Sequence, residues 1–268
     1  MIRLLSYVFF FTSFLHLFAE IKVEVKKVKG KHIFYAINEF HGPLTMTFDL
    51  KLTNLTSPKE NTYICPAKSK TKLFSIEKLD PSKKNSYSYS YTCVLGNKLA
   101  KHQVKANYNL PFKKGSKIPG GQGFFGKLSH QGKSSYAVDF LVPEGTAVYP
   151  ARTGKVVRVV EKFTEGGIIK KLFVNKANRV LILHDDQTIG RYFHFQANKI
   201  EVEEGDLVTR NTLLGFSGNT GYSTKAHLHF EVGIPESGKV FKSIEFYFSD
   251  SEGRQFTTEP KQSYYVDN

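Results

Sequence analysis

The apolar residues of this chain recur at every second position rather than every third or fourth, a spacing that favours strands over helices. In the first half Ile21, Val23 and Val25 alternate with polar residues, and so do Tyr87, Tyr89, Tyr91 and Cys93. In the second half short apolar runs over residues 146–151, 155–163, 179–184, 188–195, 212–216 and 226–232 are punctuated by Gly and Asn. No segment there carries a helical period of useful length. An all-β fold follows, with a small β-sandwich-like domain first and an antiparallel β-sheet domain, curled or sandwiched, second.

A chain of 268 residues has room for two compact domains. Residues 1–19, with Arg3 ahead of an apolar run that ends at Ala19, read as a signal peptide, and the charged stretch that follows starts the mature protein. The run is short for a bilayer span, which argues against a retained membrane anchor, and no cysteine follows it to carry a lipid. The N-terminal domain is expected over residues 20–110. Turn clusters at His41-Gly42-Pro43, residues 54–58 and Asp80-Pro81-Ser82 divide its strands. The Gly- and Pro-rich stretch 111–127 reads as a linker and a loop leading into the second domain, which takes residues 128–268.

The formal net charge of +14 is concentrated early: residues 20–115 hold eighteen Lys, no Arg and seven acidic residues. A basic exported domain suits anionic wall polymers, or is simply solubilised by its charge; nucleic acid is a poor partner outside the cytoplasm. The two cysteines, Cys65 and Cys93, are both in this domain, and an even count in an oxidising compartment predicts a disulfide between them.

Chemistry is confined to the second domain. His227 and His229 stand two apart in an apolar strand and so share a face. Paired imidazoles are costly as plain core, but they suit a metal site in which one binds the ion and its neighbour works on substrate. Asp139, within Tyr136-Ala137-Val138-Asp139-Phe140, is a carboxylate among apolar residues and needs a partner. His130 lies nine residues before it, and His194 closes Arg191-Tyr192-Phe193-His194. One carboxylate and two imidazoles with an open position is the composition of a hydrolytic zinc centre. His184, ahead of Asp185-Asp186, reads as structural.

These residues sit in motifs that resemble the lysostaphin/LytM-type zinc metallopeptidase family over roughly residues 120–232. The motifs are Ser129-His130, Tyr136-Ala137-Val138-Asp139-Phe140, the run 143–149, Tyr192-Phe193-His194, the run 215–223, and Ala226-His227-Leu228-His229-Phe230-Glu231-Val232. The resemblance implies that His130, Asp139 and His229 ligate one Zn2+ and that His194 and His227 are the catalytic pair. Many members place the first histidine four residues before the aspartate. Here that position is Ser135, so a looped insertion must deliver His130. The run 218–223 has no ionisable group and reads as a turn-rich groove wall; Tyr149, Phe195 and Tyr222 are groove or core residues.

The resemblance further implies an exported zinc metalloendopeptidase, periplasmic or extracellular, that hydrolyses peptide cross-links or bridges of peptidoglycan through a zinc-activated water. The alternative is an inert domain of the same fold that binds cell wall or regulates a partner hydrolase. The N-terminal domain would dock the enzyme on the wall or cover its groove.

Overall fold

The computed structural model describes residues 21–103 and 106–267, so the expected signal peptide over residues 1–19 lies outside the described residues. The first unit contains strands β1 (Ile21–Val28), β2 (Lys31–Asn38), β3 (Leu44–Thr53), β4 (Thr62–Cys65), β5 (Ser69–Ile76) and β6 (Ser86–Leu95). They form two antiparallel three-stranded sheets, ordered β1-β2-β5 and β4-β3-β6. Lys29 and Gly30 both take positive φ, 48° and 81°, the turn geometry that matches the twist of the β1–β2 hairpin. Phe34 and Phe74 stack within one sheet, and Phe48 of the other meets Phe74 edge-on. With Ile21, Leu44, Met46 and Ile76 they close a core.

Cys65 and Cys93 are free thiols, which corrects the expected disulfide. The reason is the strand order: Cys65 pairs with Leu44 and Cys93 with Met46, on opposite sides of β3. Two strand spacings put their backbones about 10 Å apart, beyond the roughly 7 Å a disulfide spans. The Met46 side chain also intervenes, with its sulfur 3.4 Å from the Cys65 thiol.

The second unit begins with β7 (Lys117–Pro119) and β8 (Ala137–Phe140), then β9 (Ala147–Val148), β10 (Gly154–Val160) and β11 (Gly166–Gly167). A single helical turn, α1 (Lys170–Phe173), precedes β12 (Arg179–Leu183), β13 (Ile189–Phe193), β14 (Phe195–Ile200), β15 (Leu207–Val208) and β16 (Gly215–Ser217). The chain ends with β17 (Gly221–Tyr222), β18 (Leu228–Pro235), β19 (Phe241–Ser243), β20 (Phe248–Ser249), β21 (Gln255–Phe256) and β22 (Ser263–Tyr265). The main sheet has seven strands in the order β15-β10-β12-β13-β18-β19, with β8 also paired to β18. Every pairing in it is antiparallel.

Strand alternation divides this sheet into two faces. Val180, Ile182, Tyr192, Leu228, Phe230, Val232, Val138 and Phe140 enter the large core, which the small sheet β14-β16-β9 closes through Phe195 and Val148. Tyr108 and Leu110, from the end of the expected first domain, are buried in the same core, as are Phe112 and Ile118 from the stretch expected as linker. Its apolar residues lie among Gly and Pro, and no periodic run marked them. The opposite face carries Asp139 and His229 at one end, while at the other Val157, Leu181 and Ile189 meet Leu95 of the sandwich. Gly42 permits that approach: a Cβ there would lie 2.9 Å from Val157 Cγ1. Among the described residues no helix is long and apolar enough to cross a membrane.

Candidate metal centre

The antiparallel register aligns Asp139 of β8 with His229 of β18, and His229 with Phe193 of β13. Cross-strand partners share a face, so Asp139 and His229 are neighbours by construction. His229 Nδ1 lies 3.0 Å from Asp139 Oδ1, and His130 Nε2 lies 3.2 Å from the same oxygen. One donor atom from each of His130, Asp139 and His229 falls within 4.8 Å of the others. The loop between β7 and β8 delivers His130, fully buried, despite its nine-residue separation from Asp139.

Three of the imidazoles are fixed through Nδ1. His130 Nδ1 donates to the Gly123 carbonyl at 2.9 Å, leaving Nε2 as the free lone pair. His194 Nδ1 donates to the Thr220 carbonyl at 2.6 Å, and His227 Nδ1 to the Lys225 carbonyl at 2.8 Å. His227 Nε2 then faces Asp139 Oδ1 at 3.6 Å, and the His194 and His227 rings lie 4.4 Å apart. The structure thus brings together all five residues that the sequence singled out.

The run 218–223, expected as groove wall, also supports these histidines. Thr220 supplies the His194 acceptor, and Ser223 Oγ lies 3.2 Å from His227 Nδ1. His194 has φ +72°, a left-handed conformation that costs a bulky residue about 1–3 kcal/mol. Backbone bonds to Asn178 and Gly218 hold it there. Of the aromatic residues considered for the groove, Phe195 is fully buried core, whereas Tyr222 remains 36% exposed. His184 is structural: it is buried, and its Nδ1 bonds Thr188 Oγ1 at 2.9 Å.

Two further residues shape the centre and were not singled out in the sequence. Gln122 donates to Asp139 Oδ2 at 2.9 Å and nothing in its surroundings advertised it. Glu231 is two residues beyond His229, hence on the same face, and that spacing was a usable signal. Its Oε1 pairs with Arg191 at 2.8 Å, while its Oε2, buried without a hydrogen bond among the described residues, lies 3.9 Å from His229 Nε2. Arg191 is clamped between the rings of Phe193 and Phe241, at 4.8 and 4.3 Å.

The electrostatics fit a cation. Burial alone would raise the Asp139 carboxyl, but the imidazoles of His130 and His229 against its oxygen hold it well below the usual range. Burial pushes His229 down, yet Asp139 and Glu231 outweigh it and raise the pKa to about 9. Burial lowers His194 to about 3, aided by the neighbouring His227 and His229. Burial also lowers His227. Two neutral imidazoles therefore stand beside a charged N,O,N donor set, which suits Zn2+ in ligand type and number.

Residues 133–241 match the model of Peptidase family M23. The match begins three residues after His130 and includes Asp139, His194, His227 and His229. Lysostaphin of Staphylococcus simulans is 32% identical over 132 residues, which is 49% of this chain and 24% of that protein. Peptidoglycan DD-endopeptidase ShyA of Vibrio cholerae is 37% identical over 94 residues, 35% of this chain and 19% of that protein. The chain thus spans about a quarter or less of the length of these curated relatives. The crystallised catalytic domain of Staphylococcus simulans lysostaphin aligns over 48% of this chain and 87% of its own, with 29% identity and a TM-score of 0.34.

Proposed function

We propose, from the premise that the chain carries a Peptidase family M23 domain over residues 133–241, that it is an exported zinc metalloendopeptidase that cleaves peptide cross-links or bridges of bacterial peptidoglycan. The observation that carries the reading is the convergence of His130, Asp139 and His229 with His194 and His227 beside them. Peptidoglycan enters through the relatives, since lysostaphin and ShyA, the latter named a peptidoglycan DD-endopeptidase, share this segment.

In this reading His130 Nε2, an Asp139 oxygen and His229 Nδ1 hold the zinc. Bound there, zinc supplies Lewis acidity, making water more acidic and polarising a scissile carbonyl. His194 and His227 handle the proton. Burial keeps both neutral at neutral pH, so each Nε2 can accept a proton or, once protonated, donate to a developing oxyanion. The fixed Nδ1 bonds to Thr220 and Lys225 orient the two rings without rearrangement. Gln122 and Glu231 orient Asp139 and His229 from outside the donor set.

The apolar N-terminal run supports export to the periplasm or beyond. The domain division at about residue 110, and contact of the lysine-rich first unit with anionic wall polymers, belong to the same proposal. The test is elemental analysis of the purified protein together with dye release from labelled sacculi, with and without a chelator. About one zinc per chain and chelator-sensitive release are expected. Absence of both zinc and release after reconstitution would leave the inert wall-binding reading.

A further inference from the structure

Arg179 begins β12 on the row that holds the metal centre: it pairs with Phe193, Phe193 with His229, and His229 with Asp139. All four therefore share the chemical face. Arg179 stands two strands from His229, about 10 Å away, which is roughly three residues of an extended peptide.

Among the described residues its charge lacks a counterpart. The neighbouring arginines of this face are matched, Arg191 by Glu231 and Arg158 by Glu204. Among the described residues Arg179 has no carboxylate partner, and its guanidinium donates only to the Ala177 carbonyl, at 3.0 Å. A guanidinium carries five N–H donors, so most of its capacity is unspent. Burial and repulsion from Arg191 and Arg158 push its pKa down to about 10, which still leaves it charged at neutral pH. The residue is half-buried and keeps solvent contact. A half-buried, unmatched cation on the floor beside a reaction centre is costly unless something negative binds there.

We propose that Arg179 is a substrate subsite that takes a carboxylate of the peptide being cleaved, held by its planar fork about three residues from the scissile bond. The proposal rests on the peptidase reading and adds the charge that the substrate must carry. Such a pair both selects acidic peptides over neutral ones and sets the register of the strand in the groove.

The experiment compares zinc-loaded wild type and Arg179→Gln on soluble cross-linked muropeptides, untreated or with their carboxylates converted to carboxamides by carbodiimide coupling to ammonia. The wild type should prefer the untreated substrate in kcat/KM by roughly tenfold to a hundredfold, the range for a hydrogen-bonded charge. In Arg179→Gln that ratio should fall to about one. Should this variant fail to fold, Arg179→Lys, which keeps the charge but loses the fork, should show an intermediate ratio. Equal ratios in wild type and variant would overturn the subsite and leave the peptidase reading intact. A zinc-loaded wild type that cleaves neither substrate would overturn both.

Discussion

His130 Nδ1 donates to the Gly123 carbonyl at 2.9 Å, and this bond turns Nε2 toward Asp139. Gly123 itself lies against Thr258, where a Cβ would come within 2.4 Å of the carbonyl oxygen, so only glycine fits at the position that holds His130. The loop is therefore built to present a histidine from outside the strand register. His130→Ala should lower zinc affinity by more than about a hundredfold, the upper end for losing a mere outer partner. Competition with a fluorescent chelator measures it, and unchanged affinity would remove His130 from the donor set.

Glu231 links Arg191 to His229, with distances of 2.8 Å on one side and 3.9 Å on the other. Glu231→Leu should weaken zinc binding roughly tenfold to a hundredfold. It also leaves Arg191 without its carboxylate, at a cost of about 3–5 kcal/mol. Glu231→Gln retains an acceptor, so it should lose less affinity than the leucine variant. Equal affinity in all three proteins would mean that Glu231 does not orient His229.

The thiols provide a covalent test of the sandwich. Burial pushes Cys65 up to about 12 and Cys93 up to about 11. Neither should react quickly in the folded protein at neutral pH. Titration of the denatured, unreduced protein should count two thiols; a count of zero would restore the disulfide and require β3 to be displaced.

His184 predicts acid sensitivity away from the metal centre. It packs with Arg152, Asp186, His102 and Tyr108, and burial, then Arg152, lowers it from 6.5 to about 3. The unfolded chain therefore binds a proton that the folded chain refuses between these values. Stability from this group is complete above pH 6.5 and is lost as pH falls toward 3, by at most about 1.4 kcal/mol per pH unit. Asp186, lowered from 3.8 to about 2 against its own burial by bonds from Thr188, Gln103 and Arg152, adds a loss in the same direction below 3.8. Urea midpoints measured from pH 7 to pH 4.5 should decline in the wild type and decline less in His184→Gln. Parallel curves would sink the assignment.

The strands were legible because alternation is a local property. The expected strand over residues 179–184 is Arg179–Leu183, and the one over 226–232 begins at Leu228 and runs on to Pro235. The expected single strand 188–195 is instead two, Ile189–Phe193 and Phe195–Ile200, broken at His194 by its positive φ. Nothing local marked that break, because a histidine in that conformation is held by bonds to the distant Asn178 and Gly218.

The sequence by itself determined that the chain is all-β and which five side chains of its second half the fold brings together. It could do so because strand period, motif order and the two-residue spacing of His227 and His229 are properties of short segments. Only the tertiary structure decided that the His130, His194 and His227 rings are tied down through Nδ1, that β3 separates Cys65 from Cys93, and that Arg179, among the described residues, stands without a carboxylate on the row of His229 and Asp139. Those outcomes depend on which strands become neighbours and in what register, and register is set by the packing of residues far apart in the chain.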